Sequence, residues 1–233
     1  MIFRQLFEKN SSTYTYLLAD EKTREAILID PVIEETELYL RLLHELDLKL
    51  ITAMDTHTHA DHITALGRLR DETDCVPLMG AQAGSDCASG SFYDQQEIPV
   101  GKLMFKALHT PGHTDDSYSF LLEQEGQHYL FSGDTLLIRG TGRTDFQNGN
   151  AEDQYDSLMR LLALPDTTWV YPAHDYKGWM VSTISEEKRH NPRLQVANAA
   201  EYKQIMDNLN LPNPKMMDVA VPANRACGDV ANG

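Results

Sequence analysis

A single mixed strand-and-helix domain over 1–233, α/β or α+β, is what this sequence predicts. Two kinds of segment alternate along it. Short β-branched or aromatic runs end at turn residues, and longer stretches carry apolar residues three or four apart. The length of 233 residues suffices for one sizeable core.

Taken in order, TYTYLLAD (13–20) and REAILIDPV (24–32) read as strands. ETELYLRLLHELD (35–47) spaces Leu38, Leu42 and Leu46 by four with Leu43 alongside, which predicts a helix with one buried face. LKLITAMD (48–55) reads as a buried strand. In DHITALGRLRD (61–71), Ile63, Leu66 and Leu69 recur at helical spacing, which predicts a helix starting at Asp61. Strand-like runs follow at 103–108, 118–122 and 128–131, then a helix at 152–163 and a strand at 168–172. A last helix is expected over 195–209.

Composition narrows the partners. The formal charge is −15, and duplex nucleic acid is held by Lys and Arg on phosphates, so nucleic-acid binding is not expected. No segment has the run of apolar residues that a membrane span needs, and the N-terminus lacks a signal-like apolar stretch. Cys75, Cys87 and Cys227 are unpatterned, so no disulfide framework is expected. A reducing compartment is then the default, and a cytoplasmic location is expected.

The chemistry concentrates in THTHADHI (56–63), which sets His57, His59, Asp61 and His62 within six positions. In extended chain, His57 and His59 point to the same side. With a helix starting at Asp61, Asp61 and His62 fall in its first turn, so two ligand pairs face one cavity from different origins. Four metal-ligand types in H-x-H-x-D-H order at a strand end point to a metal site. Further candidates sit at other strand ends beside turn residues: His109 and His113 in LHTPGHTDDS, Asp134 in YLFSGDTLL, His174 in VYPAHDY and Asp30 in AILIDPV.

In chain order, Asp30, THTHADH (56–62), His113, Asp134 and His174 resemble the five metal-site motifs of the metallo-β-lactamase superfamily. LIRGTGRTDFQNGN (137–150), YPAHDYKGWMVSTISEEKRHNPRL (171–194) and VPANRACG (221–228) resemble, more closely, the persulfide dioxygenase or sulfur dioxygenase family. This resemblance implies a four-layer αββα sandwich with the metal site at one edge between two sheets. It implies an enzyme that oxidises glutathione persulfide with O2 and water to sulfite and glutathione. It also implies one Fe(2+) ion per chain, held at the positions of His57, His113 and Asp134. Two imidazoles and one carboxylate leave positions open, as in non-haem Fe(II) oxygenases. His59, Asp61, His62 and His174 would then orient ligands and hold water. The ligand list alone also allows two metals, one on His57, His59, His113 and Asp134, the other on Asp61, His62, Asp134 and His174. A homodimer is among the assembly states the resemblance implies.

Glutathione carries two carboxylates, so an acidic chain needs locally basic contacts. Arg139, Arg143 and Tyr176 match glutathione-binding positions of the family, and Lys177 adjoins them. RTD also reads as an internal pair of Arg143 with Asp145. Asp115 and Asp116, beside His113, add acidity with no evident use. The cysteines receive no catalytic role. The alternative reading is a glyoxalase II-like hydroxyacylglutathione hydrolase with two metals. That enzyme carries a longer helical tail than the 233 − 174 = 59 residues that follow His174 here. Other hydrolases of the superfamily, and a metal-binding sulfur carrier, fit the residues less well.

Overall fold

The computed structural model describes residues 1–85, 87–212 and 216–228. In its first half the chain forms β1 (Ile2–Glu8), β2 (Thr13–Ala19), β3 (Glu25–Ile29), α1 (Thr36–Glu45), β4 (Lys49–Met54), α2 (Leu66–Thr73), β5 (Val76–Gly80) and β6 (Gly90–Phe92). There follow β7 (Glu97–Val100), β8 (Leu103–His109), β9 (Tyr118–Gln124), β10 (Gln127–Gly133), α3 (Ala151–Leu162) and β11 (Trp169–Pro172). Last come β12 (Ser182–Thr183), α4 (Ile184–His190), α5 (Ala199–Asp207) and α6 (Met217–Arg225). The chain divides into two compact units. One comprises Met1–Phe92, Ile98–Met104 and, of the C-terminal segment, 216–228; the other comprises Tyr93–Glu97 and Phe105–Pro212.

The first unit is built on a mixed sheet in the order β1-β2-β3-β4-β5-β6. β1, β2 and β3 are antiparallel neighbours, whereas β3, β4, β5 and β6 run parallel. Parallel neighbours need a crossover, and α1 and α2 supply the first two. Tyr39 and Leu43 of α1 and Leu66 and Leu69 of α2 join Leu17, Leu28, Leu50 and Ala53 in one apolar core.

The second sheet runs β12-β11-β10-β9-β8-β7, and its β7–β8 hairpin carries the chain between the units. β9 and β10 are joined by Glu125-Gly126, both at positive φ (53° and 77°), the backbone that a two-residue hairpin requires. α3 crosses from β10 to the parallel β11 and buries Leu158 and Leu161 with Leu130, Val170, Ile184 and Tyr202. Its N-terminus is set by Asn150, whose side chain accepts from the backbone N–H groups of Glu152 and Asp153. Asn150→Ala is expected to cost about 1 kcal/mol in denaturant unfolding. An unchanged midpoint would mean that the cap contributes nothing.

Two expectations are corrected. The helix expected from Asp61 begins at Leu66, so Asp61 and His62 lie in a loop and not in a helical turn. The reason is a partner far along the chain. The Asn224 side chain donates to the carbonyls of His59 and His62 and accepts from Thr64 N–H, at 2.8–2.9 Å. These bonds satisfy backbone groups that a helix would otherwise pair. Second, Cys87 and Cys227 form a disulfide, whereas no disulfide was expected; only Cys75 is a free thiol among the described residues. The two are 140 residues apart, and bridging depends on how close the fold brings their Cβ atoms, which spacing does not reveal.

Candidate metal centre

In the first unit the ligand-rich loop follows β4 directly. Asp30, at the end of β3, has φ 52°, and its carboxylate is 1% exposed. It accepts from Thr56 N–H at 2.6 Å, from the Thr56 hydroxyl at 3.0 Å and from His59 Nε2 at 3.1 Å. Burial pushes this carboxyl up, opposed by His57 and by the Thr56 donors. The Thr56 hydroxyl spends its proton on Asp30, so its oxygen accepts from His57 Nδ1 at 3.0 Å. His57 is thereby fixed as the Nδ1–H tautomer, with its lone pair on Nε2. His59 donates from Nε2, so its lone pair is on Nδ1, 4.0 Å from an Asp61 oxygen. His62 donates from Nδ1 to Asp61 at 3.1 Å. The three rings are adjacent, with centroids 4.1 Å apart for His57 and His59 and 4.2 Å for His59 and His62. Asp55 Oδ1 accepts from the Thr64 hydroxyl and ties the loop to the strand that precedes it.

In the second unit, β10 and β11 are parallel neighbours in register at Gly133 and Pro172. Asp134 and His174 follow these strand ends, so the two side chains meet: His174 Nδ1 donates to Asp134 Oδ1 at 2.7 Å. His113 lies in the turn after β8, and its Nδ1 donates to the Arg143 carbonyl at 2.7 Å. Its Nε2 then carries a lone pair and sits 3.6 Å from Asp134 Oδ2. A lone pair and a carboxylate oxygen so placed repel unless a proton or a metal cation lies between them. The donor set is of metal-binding type, and second-acceptor contacts of this kind orient metal-ligating histidines. Gly142 closes the arrangement, donating to the Asp134 carbonyl at 2.6 Å.

The metallo-β-lactamase superfamily model matches residues 10–86 and 90–174. Mouse "Persulfide dioxygenase ETHE1, mitochondrial" is 46% identical over 98% of this chain and 89% of its own length. The crystal structure of ETHE1 from Myxococcus xanthus is 57% identical, with a TM-score of 0.94, and covers 98% of this chain and 100% of that one. The chain belongs to the persulfide dioxygenase family of the metallo-β-lactamase superfamily.

Membership of the persulfide dioxygenase family bears out the expected fold class, with two mixed sheets and their helices, and the expected class of enzyme. The hydrolase alternative is not favoured: a probable hydroxyacylglutathione hydrolase of Schizosaccharomyces pombe is 37% identical, over 88% of this chain and 90% of its own length.

The expected persulfide dioxygenase substrate contacts are placed unevenly. Arg139, at φ 56°, donates from its backbone N–H to Glu187 at 2.8 Å, and its guanidinium pairs with Glu187 and Glu186 and contacts Ser182. Arg143 makes a two-pronged pair with Asp145 at 2.6 and 2.7 Å and donates to the Pro212 carbonyl at 2.7 Å. This pair holds the Asp145 carboxyl below its usual range. Both guanidinium groups are thus engaged within the protein, and Arg143 serves the site through its carbonyl on His113. Tyr176 is 72% exposed and stacks on His174 with centroids 6.2 Å apart. Lys177 lies over Trp179. His109 is not brought to the ligands; its Nε2 donates to the Asp115 carbonyl. The acidic pair beside His113 has local uses, since Asp116 accepts from the Thr114 hydroxyl and Asp115 from the Asn148 amide. Thr56, Gly142, Asn224 and Glu187 were not singled out from the sequence. Each had a signal in its place within a quoted string: Thr56 in THTHADH, Gly142 in LIRGTGRTDFQNGN, Glu187 in YPAHDYKGWMVSTISEEKRHNPRL and Asn224 in VPANRACG.

Proposed function

We propose that this chain oxidises glutathione persulfide with O2 and water to sulfite and glutathione at a single Fe(2+) ion held by His57, His113 and Asp134. The observation that carries the site is the pairing of His113 Nε2 with Asp134 Oδ2 at 3.6 Å, while Asp134 Oδ1 accepts from His174 Nδ1. The single ion follows from the resemblance to the persulfide dioxygenases. The tautomers agree with this role: Thr56 fixes His57, and the Arg143 carbonyl fixes His113, each with Nε2 as the ligating atom. Two imidazoles and one carboxylate suit non-haem Fe(II) and leave positions open.

Bound iron supplies the one-electron chemistry through which triplet O2 reacts with a closed-shell sulfur compound, which side chains cannot do. The chain's own part is orientation. Asp30 steers His59 and, through Thr56, His57. His59, Asp61, His62 and His174 supply further polar groups that hold water, the second co-reactant. Tyr176 offers an exposed aromatic face and a hydroxyl to the glutathione moiety. No protein nucleophile is needed, and none of the cysteines is assigned one. A cytoplasmic location and a homodimer remain part of this proposal. Among the described residues, no helix is long and apolar enough to cross a membrane.

The test is O2 consumption by iron-loaded protein given glutathione persulfide, with sulfite assayed alongside. One sulfite per O2 is expected, following GSSH + O2 + H2O → GSH + SO3²⁻ + 2H⁺. No uptake by protein verified to hold iron, together with thioester hydrolysis by the zinc-loaded form, would overturn the proposal in favour of the two-metal hydrolase.

A further inference from the structure

α6 is the element that fixes the ligand-rich loop, and the Cys87–Cys227 disulfide fixes the end of α6. Asn224, fully buried, makes three hydrogen bonds to the loop: to the carbonyls of His59 and His62 and from Thr64 N–H. Three residues on, Cys227 is bonded to Cys87, which lies in the segment between β5 and β6. The Cys227 carbonyl also accepts from Gly67 N–H at 2.8 Å, at the start of α2. A Cβ on Gly67 would stand 2.8 Å from that carbonyl oxygen, so only glycine admits the contact. Loop, helix end and disulfide are therefore one mechanical unit.

The two sulfur atoms differ in access. Cys227 is 1% exposed, whereas Cys87 is half-buried and lines a groove of about 340 Å³ with Gly84, Pro222, Arg225 and Ala226. The guanidinium of Arg225 is exposed and makes no ion pair among the described residues. The Ser85 hydroxyl donates to the Arg225 carbonyl at 2.8 Å and lies 2.9 Å from Cys87 Sγ. The groove thus offers an accessible sulfur, a cation for a carboxylate and room for a small molecule.

We propose that Cys87–Cys227 is a thiol-exchange site for a small thiol that carries a carboxylate, and that exchange there frees the end of α6 and so loosens the metal-ligand loop that α6 holds. The thiolate attacks Cys87 Sγ. A new S–S bond forms to the incoming sulfur, the Cys87–Cys227 bond breaks, and its electron pair leaves on Cys227 Sγ, which takes a proton from water. The thiol stays on Cys87 as a mixed disulfide, and no external oxidant is consumed. The bond that tied the end of α6 to Cys87 is then gone, and Asn224 holds the loop through an untethered helix.

The test uses the full chain, air-oxidised and then incubated with reduced glutathione, quenched with an alkylating agent and mapped by peptide mass spectrometry. Amide hydrogen exchange is followed in parallel. The expected result is glutathione on Cys87, alkyl label on Cys227 and faster exchange of the Thr64 amide. Asn224→Ala is expected to speed Thr64 exchange with the disulfide intact, and Cys87→Ser to do so without any thiol. Arg225→Glu is expected to slow modification by glutathione about tenfold while leaving modification by the uncharged 2-mercaptoethanol unchanged. The proposal is overturned if the oxidised protein holds no Cys87–Cys227 bond, if glutathione appears on Cys227 and not on Cys87, or if Cys87 is modified while Thr64 exchange stays as before. Equal slowing of both thiols by Arg225→Glu would remove the carboxylate preference. Should Cys87→Ser fail to fold, the thiol-treated natural chain still decides the matter.

Discussion

Arg139→Ala is expected to lower stability by about 3 kcal/mol, with little change in the KM for persulfide. The sequence pointed the other way, to a guanidinium that grips a substrate carboxylate. In the structure that guanidinium neutralises Glu187, whose side chain has no exposure to solvent. Glu187 also accepts from the Ser182 hydroxyl and from the Asn191 amide at 2.9 Å. Removing the arginine leaves a buried carboxylate with polar donors and no countercharge, and the remaining donors keep the cost near the low end for a broken buried pair. For a chain of this size, 3 kcal/mol corresponds to a fall in Tm of roughly 6–12 °C. Arg139→Lys is expected to recover only part of this, because an ammonium cannot reach Glu186 and Glu187 together as the planar fork does. Thermal unfolding together with steady-state kinetics decides between the roles. An unchanged Tm with a raised KM would return Arg139 to the substrate.

Gly142→Ala is expected to weaken metal retention on the order of 10- to 100-fold while leaving the fold intact. A Cβ at this position would stand 2.8 Å from His113 Nδ1 and closer still to the Asp134 carbonyl oxygen. His113 Nδ1 is already committed to the Arg143 carbonyl, and Asp134 to His174, so neither moves without breaking the bond that orients it. Displaced orienting contacts of this kind cost on the order of 10- to 100-fold in metal affinity. Metal content after desalting, read beside far-UV circular dichroism, checks it. Full metal content in the variant would mean that Gly142 does not set the ligand geometry.

Much of the fold was legible because its signals are local. β2, α1, β4 and α3 fall within a residue or two of where alternation and four-residue spacing put them, and each depends on residues adjacent in sequence. The short strands β5, β6, β7 and β12 and the helix α4 were not anticipated, being too brief for a period to register; β1 and α6 were not anticipated either. Ligand types were equally legible, since histidine and aspartate at strand ends declare their chemistry by identity alone.

By itself, then, the sequence determined the strand-and-helix composition, the acidic balance, the family and the set of candidate metal-binding side chains. Only the tertiary structure decided how those side chains are used. It placed the start of α2 after the ligand loop because Asn224, 160 residues beyond Thr64, satisfies the loop's backbone. It turned Arg139 inward onto a glutamate 48 residues away, and it joined cysteines 140 residues apart. It selected the ring nitrogens through Thr56 and the Arg143 carbonyl. In nearly all of these cases the deciding partner is distant along the chain, and the strength of a hydrogen bond or an ion pair depends on separation in space, which periodicity does not encode.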